Sequence, residues 1–347
     1  MGVFEDSVNA AMDAKNGVIL DMLMKCQSVF ESHNKAFVSV SGGGDSDVLI
    51  DLCERVRTAT PIELHFGFFY TGLEYQATLS HLDYLEDRYG IEIVRYRPEK
   101  SIPTCARVHG EPFLSKYVSQ NISRLQKYGF QWEDEPFDVL YERYPNCKSA
   151  LRWWTNTWTR TDRPGWFDIG RNQLLKEFMV ENPPDFPISD KCCHYTKKKL
   201  AKQVNRQLNV DVDLVGVREA EGGIRAATKS FRKSCITINE KGVDHYRPLY
   251  WLDDVAKADY VRLFDIHHSD CYEVWGFTRT GCVGCPFGKE VLSELEVARV
   301  YEPRMVSAVE RVFAHSYEYT RRYYEYRLLH RKGRGGQMRL NLRHARD

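Results

Sequence analysis

Hydrophobic positions in the first hundred residues follow helical and strand spacing in turn. Apolar residues recur as an approximate stripe over 4–31, which predicts an amphipathic helix. Residues 75–89 have a second helical pattern that ends at Gly90. Strands are predicted for three short apolar runs, at 36–40, 61–69 and 91–94. Strands that alternate with helices at this spacing form parallel sheets with right-handed crossovers. The pattern therefore predicts an α/β fold with a doubly wound, mostly parallel sheet.

The hydrophobic period is lost between residues 100 and 190, where aromatic, proline and asparagine residues are frequent. We interpret this region as a helical insertion, in which Trp153, Trp154 and Trp158 could stack bases but are more typical of buried packing. Helices are predicted at 191–207, from 253 and at 292–331, and a strand at 212–217. The predicted organisation is an N-terminal helix (1–34), an α/β domain with the insertion (35–290), a C-terminal helical extension (291–330) and a basic tail (331–347).

Three glycines separate the first predicted strand from the helical pattern that follows it. The segment consists of Ser41, Gly42, Gly43, Gly44, Asp45 and Ser46. A strand, a glycine turn and a helix start aim several backbone N–H groups at one point, which suits a phosphate chain. Glycines let the backbone approach such a ligand without Cβ clashes. Asp45 is predicted to hold Mg²⁺ or to fix the loop.

Composition excludes several classes of protein. The 347 residues are 43% hydrophobic and 28% charged, as in ordinary globular proteins, and the net charge of +1 creates no global field toward nucleic acid or an anionic membrane. No apolar run approaches the roughly 20 residues of a membrane span, and the N-terminal residues lack the layout of a signal peptide. These features predict a cytoplasmic protein with no membrane partner.

Four of the ten cysteines have a spacing that indicates metal or redox chemistry. Cys192 and Cys193 are adjacent, and Cys282 and Cys285 form a Cys-x-x-Cys. Zinc, an iron–sulfur centre or a dithiol pair could each use these thiols. Adjacent cysteines suit tetrahedral zinc poorly, whereas a four-iron cluster spreads its ligand sites. Five other cysteines are interpreted as packing or surface thiols: Cys26, Cys53, Cys105, Cys147 and Cys235.

The glycine segment resembles the Ser-Gly-Gly-x-Asp-Ser PP-loop of the adenine-nucleotide α-hydrolase superfamily. Residues 190–198 and 276–288, which contain the four cysteines, resemble the ligand segments of the [4Fe–4S] sulfonucleotide reductases in the phosphoadenylyl-sulfate reductase family. The resemblance implies an adenine-nucleotide α-hydrolase-like fold and a [4Fe–4S] cluster held by Cys192, Cys193, Cys282 and Cys285.

Two further segments extend the resemblance. Thr71, Gly72 and Glu74 are similar to the family's Thr-Gly-x-Glu turn beside the nucleotide. Gly216, Arg218 and Arg225 are similar to the family's Gly-x-Arg-x-x-Glu-Ser-x-x-Arg, in which two arginines can grip an anion by bidentate bonds. The implied cofactors are the cluster, ATP or a related adenine nucleotide, and Mg²⁺. Residues 248–255 resemble a family helix start, and we interpret them as a helix capped by Asp253 with a buried Trp251.

One departure bears on the reaction. Assimilatory reductases attack their substrate with a C-terminal cysteine, and no cysteine follows Cys285 here. Gly222 also replaces a usual serine, and Tyr70 a usual Asp or Asn. The sequence therefore favours ATP-dependent adenylation or sulfur transfer to an acceptor, with Asp45, Arg218 and Arg225 as the catalytic residues.

Two alternatives stay open. One is a sulfonucleotide reductase that uses another thiol, Cys271 or Cys235. The other is a non-catalytic nucleotide-sensing or DNA-interacting protein, whose nucleic-acid contact would be the basic tail at 331–347. The partners that follow from these readings are the nucleotide, a sulfur donor or thiol reductant, nucleic acid at the tail, and a second copy in a homodimer.

Overall fold

The glycine segment follows a strand in the computed structural model, which describes residues 2–158, 164–222, 235–239 and 242–332. Residues 331 and 332 are described by their backbone only. The strands are β1 (Lys35–Val40), β2 (Glu63–Phe69), β3 (Ile93–Tyr96), β4 (Val212–Val215), β5 (Ile236–Thr237) and β6 (Asp244–Tyr246). They form one sheet in the order β3-β2-β1-β4-β6-β5. Neighbouring strands are parallel except β5 and β6, which are antiparallel. The predicted doubly wound, mostly parallel α/β fold is confirmed.

Strand β1 occupies the point at which the strand order reverses. Val38 of β1 is paired with Phe66 of β2 on one side and with Leu214 of β4 on the other. The chain first builds outward from β1 to β3 and then continues on the opposite side with β4. Ligands of open α/β sheets bind at the carboxyl ends of the strands beside such a reversal. The glycine segment after β1 therefore lies where this fold forms its binding sites.

The helices of the described residues are, in chain order, α1 (Val3–Asp13), α2 (Gly17–Glu31), α3 (Gly44–Arg57), α4 (Gln76–Tyr89), α5 (Ile102–His109), α6 (Lys116–Lys127), α7 (Phe137–Arg143), α8 (Lys148–Trp154), α9 (Gln173–Glu181), α10 (Lys191–Cys193), α11 (Lys199–Leu208), α12 (Asp254–Leu263), α13 (Asp270–Glu273), α14 (Val291–Tyr301), α15 (Pro303–Val312) and α16 (Ala314–Lys332). A π-helical turn, His194–Lys198, joins α10 to α11.

The chain divides into two compact units. Unit 1 is drawn from residues 1–102, 193–283 and 294–306, and unit 2 from residues 103–192, 284–293 and 307–347. The core of unit 1 consists of sheet residues such as Val38 and Leu214 with apolar residues of α1 to α4 and α12. The core of unit 2 is strongly aromatic and includes Phe113, Trp153, Trp154, Phe178 and Tyr319. Burial of Trp153 and Trp154 confirms the packing interpretation for these two residues, whereas Trp158 is exposed.

The helices predicted near the two ends of the chain were each expected to be continuous, and this was wrong, because both are interrupted. The stripe over 4–31 is split into α1 and α2, because Lys15 takes a left-handed φ of 53° and the Asn16 side chain caps α2. The segment 292–331 is split into α14, α15 and α16, and Pro303 begins the second of these helices. A proline fits at the first position of a helix and interrupts the interior of one. None of the helices in the described ranges has the length and apolar character that a bilayer crossing needs.

Candidate functional site

The glycine loop joins the end of β1 to the start of α3. Gly42 has a φ of 67°, and a Cβ added there would lie 2.5 Å from Thr78 Cγ2, so both backbone conformation and space require glycine. Gly43 is the N-cap of α3, and its carbonyl accepts hydrogen bonds from the N–H (2.7 Å) and the hydroxyl (2.8 Å) of Ser46. The N-terminus of a 14-residue helix therefore faces the loop. Such a terminus favours a bound anion through its free N–H groups and its dipole.

Two cations hold Asp45 within this loop. Asp45 Oδ1 lies 2.9 Å from Arg218 Nε and 2.6 Å from Lys257 Nζ. Arg218 Nη1 also donates to the carbonyl of Leu252 (3.1 Å) and to Asp254 Oδ1 (2.9 Å), and Arg218 is only 8% exposed. Burial lowers the pKa of Arg218, but its contacts with Asp254 and Asp45 outweigh this effect and the pKa lies above its ordinary value. The site thus keeps two positive charges at the glycine loop.

Gly216 lets the segment after β4 approach the glycine loop. A Cβ at this position would lie 3.0 Å from the carbonyl oxygen of Asp45. Because the two backbones are so close, a larger residue would push the β4 segment, and with it Arg218, away from the loop. Gly216, which the sequence predicted to contact the nucleotide, therefore also allows the two backbone segments to pack closely.

A buried carboxylate beside the loop lies close to two histidines and is hydrogen-bonded to one of them, His268. Asp47 is fully buried, its Oδ2 lies 2.7 Å from His268 Nδ1, and its Oδ1 lies 3.1 Å from His81 Nε2. The far side of the His268 ring faces the loop, since a Cβ on Gly44 would lie 3.2 Å from His268 Nε2. A carboxylate at one ring nitrogen fixes the orientation of the imidazole and leaves the other nitrogen for a ligand.

Tyr272 and Thr280 form another wall of the loop. A Cβ on Gly43 would lie 3.0 Å from Tyr272 Oη and 3.1 Å from Thr280 Oγ1. The Thr280 N–H donates to the Tyr272 hydroxyl at 3.1 Å. Burial raises the pKa of Tyr272, and hydrogen bonds from Thr280 and from the backbone of Gly44 oppose that rise. The hydroxyl therefore stays protonated at neutral pH and can donate a hydrogen bond to an anion.

The Thr71-Gly72-x-Glu74 turn is held by its own carboxylate. Glu74 accepts from the Thr71 N–H (2.7 Å), the Thr71 hydroxyl (2.5 Å) and the Gly72 N–H (3.0 Å). Thr71 Oγ1 also lies 3.4 Å from Cys282 Sγ, and the Val283 N–H donates to the Leu73 carbonyl at 2.7 Å. The geometry makes Glu74 a structural group that fixes the turn against the cysteine segment.

Cys282 and Cys193 are neighbours in unit 1. Burial raises the pKa of Cys282, while Lys197 and the hydrogen bond to Thr71 lower it, and Cys193 is close enough to act on it electrostatically. Cys192 is buried and Cys285 is partly buried. Across the described ranges, no group of three or more His, Cys, Asp and Glu side chains is arranged to hold a single metal ion.

The remaining predicted features have mixed outcomes. Asp253 caps α12 by accepting from the Ala256 N–H at 2.8 Å, as predicted. Trp251 is 44% exposed, so its predicted burial was wrong; the neighbouring Tyr250 takes the core position instead. Arg225 and most of the basic tail lie outside the described residues. Lys257, His268, Asp47, Tyr272 and Thr280 were missed by sequence reasoning.

The chain is similar to several solved structures, each at low sequence identity. No curated protein shows significant sequence similarity to this chain. Among solved structures, the chain is similar to phosphoadenylyl-sulfate reductase from Candida auris in a phosphate complex (15% identity, 71% of this chain and 80% of that chain, TM-score 0.36). It is also similar to the U34-tRNA thiolase of Methanococcus maripaludis with its [4Fe–4S] cluster (13%, 88% and 79%, TM-score 0.38). A third similar structure is the NH3-dependent NAD synthetase of Campylobacter jejuni in complex with nitrate (9%, 92% and 97%, TM-score 0.32).

A family model describes the segment that contains the loop. Residues 35–129 match the phosphoadenosine phosphosulfate reductase domain, and this range includes β1, the glycine loop and the Thr71-Gly72-x-Glu74 turn. Residues 35–129 are therefore similar to this domain, which confirms the resemblance seen in the sequence for the glycine loop and for the Thr71-Gly72-x-Glu74 turn.

Proposed function

We propose that this protein is an enzyme that binds ATP or a related adenine nucleotide at the glycine loop and transfers its adenylyl group to an acceptor. The observation that carries the proposal is the pair of cations, Arg218 and Lys257, held by Asp45 at the N-terminus of α3. Free N–H groups, a helix dipole and two fixed positive charges together suit a polyphosphate chain. The family assignment of residues 35–129 gives independent support for a nucleotide at this loop.

In this reaction an oxygen or sulfur of the acceptor attacks the α-phosphorus of ATP. The bond between the α-phosphorus and the bridging oxygen breaks, that oxygen keeps the electron pair, and pyrophosphate leaves. Negative charge increases on the leaving group, and Lys257 and Arg218 are positioned to neutralise it without reorganisation. His268 Nε2 and the Tyr272 hydroxyl add directed hydrogen bonds at the same loop. The catalytic contribution of these residues is positioning and charge stabilisation.

The contacts of Asp45 disfavour Mg²⁺ at this residue. Asp45 Oδ1 contacts both Arg218 and Lys257, and these two positive charges would repel a metal cation. Of the two roles predicted for Asp45, fixing the loop is the one that its contacts support. We therefore derive no step through a metal at this residue.

We also propose that Cys192, Cys193, Cys282 and Cys285 hold a [4Fe–4S] cluster. The support is the adjacent pair with a Cys-x-x-Cys in the sequence and the proximity of Cys193 to Cys282 in unit 1. Lys197 beside Cys282 partly offsets the rise that burial causes in the pKa of this thiol. Adenylation at the glycine loop requires no electron from a cluster. The adenylation proposal and the cluster proposal can therefore be tested independently of each other.

The reductase alternative is disfavoured by the state of the remaining thiols. Burial raises the pKa of Cys271 to about 11, and this residue is fully buried. Burial also raises the pKa of Cys235. A nucleophilic thiol in such a reductase needs a substantial thiolate fraction and access to its substrate. We retain a separate sulfur donor or a thiol reductant as a partner of the proposed enzyme, and we propose that the enzyme acts in the cytoplasm.

The test begins with ATP binding, which needs no acceptor. Calorimetric titration should give one ATP per chain at the loop, and Arg218→Ala should weaken this binding. Exchange of labelled pyrophosphate into ATP is then measured with a panel of thiols, carboxylates, tRNA and single-stranded DNA. Exchange that depends on one acceptor class supports adenylation. An intact protein that does not bind ATP would overturn the proposal.

A further inference from the structure

Unit 2 contains a cavity of about 430 Å³ that none of the glycine-loop residues line. Its walls come from the start of α6, from Trp153, from residues 166–175, from residues 288–289 and from α16. The volume lies within the range of about 300–1,000 Å³ that is usual for small-molecule sites.

Aromatic rings make up much of the lining and are held in place. The rings are those of Tyr117, Trp153, Trp166, Tyr323 and Tyr324. Tyr117 donates to the Phe167 carbonyl (2.9 Å), Tyr323 to Asn172 Oδ1 (2.8 Å) and Tyr324 to the Lys289 carbonyl (3.1 Å). Since the tyrosine hydroxyls are already bonded, the rings of Tyr117 and Tyr324 are preorganised for contact with a ligand. Trp153 and Tyr323 are almost fully buried and form the base of the cavity wall.

Positive charge is concentrated among these rings. The cavity is lined by Arg171, Lys289 and Arg327. The Arg171 guanidinium lies 4.7 Å from the centre of the Trp166 ring, and that of Arg327 lies 5.5 Å from the Tyr323 ring. The acidic residue in the described lining is Asp168, whose oxygens accept the backbone N–H groups of Trp158 (3.1 Å) and Gly165 (2.6 Å). An anionic ligand in the cavity would therefore be close to three cations and to one carboxylate, which is hydrogen-bonded to backbone N–H groups.

Trp166 shows that the site is open to a large planar ligand. Its side chain is 66% exposed, although indole is among the groups that gain most from burial. An exposed tryptophan with an arginine stacked on it, next to other aromatic faces and cations, is the combination that binds bases by stacking and phosphates by charge. A purely apolar ligand would leave the cations without a partner.

We propose that this cavity binds a nucleobase that carries a phosphate. The source is either a free mononucleotide or the phosphorylated end of a single-stranded nucleic acid. The site is independent of the adenylation proposed above, because its residues belong to unit 2 and the glycine-loop residues belong to unit 1.

The experiment measures binding of AMP and of a short 5′-phosphorylated single-stranded DNA to the full chain. All titrations use the Lys257→Ala background, in which the glycine loop is weakened and the second site is not touched. Trp166→Ala should weaken binding about 5- to 100-fold, the effect of losing one base–aromatic stack. Trp166→Phe should recover most of it. Arg327→Ala should weaken binding of the phosphorylated probes and leave adenosine unaffected.

Arg322→Ala is the matched control, because Arg322 is on the same helix as Arg327 and does not line the cavity. Binding of both probes with sensitivity to Trp166 and Arg327 supports a nucleic-acid end, and binding of AMP alone supports a free nucleotide. Thermal melting of each variant verifies the fold, and Trp166 is exposed enough that its replacement should not unfold unit 2. Equal affinity in Trp166→Ala, Arg327→Ala and Arg322→Ala would overturn the proposal, as would failure of both probes to bind.

Discussion

Arg218 Nε lies 2.9 Å from Asp45 Oδ1, and this ion pair connects the segment after β4 to the glycine loop after β1. The two residues are 173 positions apart in the chain. Because β1 and β4 are paired, their carboxyl ends lie side by side, and Gly216 leaves the space that the close approach needs. The pair makes the loop geometry dependent on the sheet.

Arg218→Ala should lower both stability and ATP binding. The substitution leaves Asp254 and the Leu252 carbonyl without their donor, and Asp45 with Lys257 alone. Loss of one partner of a largely buried pair lowers the free energy of unfolding by about 3 kcal/mol. Arg218→Lys should keep the charge but lose the fork geometry, so we expect partial recovery of the melting temperature. Chemical denaturation and ATP titration measure the two effects, and an unchanged denaturation midpoint in Arg218→Ala would contradict the prediction.

Lys257→Ala should act on ATP binding more than on stability. Lys257 is partly exposed and beside Gly44, where a phosphate oxygen would lie. A hydrogen bond to a charged group contributes about 1.5–3 kcal/mol, so the Kd for ATP should rise about 10- to 150-fold. Arg262→Ala is the control, since Arg262 is on the same helix and pairs with Asp259 at the surface. If both variants weaken ATP binding equally, Lys257 has no specific role.

The sequence predicted the glycine loop and the doubly wound sheet because both arise from local pattern. A strand, three glycines and a helix start are contiguous, and residues within one such turn meet whatever the rest of the chain does. Lys257 and His268 reach the loop only through tertiary packing, and no spacing in the sequence connects them to Gly44. The burial of Trp251 was predicted wrongly, because the sequence around a tryptophan between apolar residues does not indicate which of them faces the core. In the structure Tyr250 faces the core and Trp251 is exposed.

The Asp47–His268 contact predicts that the effects of these two residues on the adenylation rate are coupled. His268→Gln replaces the rigid ring whose Nε2 faces Gly44 by a flexible amide, and Asp47→Asn weakens the contact that orients the ring. If Asp47 acts through His268, the double variant should be no worse than His268→Gln in adenylation rate, whereas independent residues would give additive losses. His267→Gln is the matched control, because His267 is adjacent and contacts only Asp265 and Glu273 among the ion pairs of the described residues. Additive losses in rate would refute a positioning role for Asp47.

The proposed cluster predicts a colour and a metal content. Protein purified without oxygen should be brown and contain about four irons and four sulfides per chain. Replacement of Cys192, Cys193, Cys282 or Cys285 by serine should remove the colour. Cys53→Ser should keep it, since Cys53 is buried in the core of unit 1. Stoichiometric zinc without iron in an anaerobic preparation would exclude the cluster.

The pKa of Cys271 separates the proposed function from a reductase. At a pKa of about 11, only about one Cys271 thiol in a thousand is ionised near pH 8, and alkylation requires the thiolate. The reaction of iodoacetamide at Cys271 in the folded protein should therefore be slow and should rise about tenfold with each pH unit until the pKa is reached. Peptide mass mapping over time measures the alkylation rate, and the unfolded chain, in which all ten cysteines react, provides the reference.

Two results together would make the reductase the better assignment. They are fast alkylation of Cys271 at neutral pH, and sulfite release from a sulfonucleotide with thioredoxin that is lost in Cys271→Ser. Adenylation that is unchanged in Cys271→Ser is the result that we expect, because this thiol is fully buried, contacts Thr78 and has no direct access to a ligand at the loop.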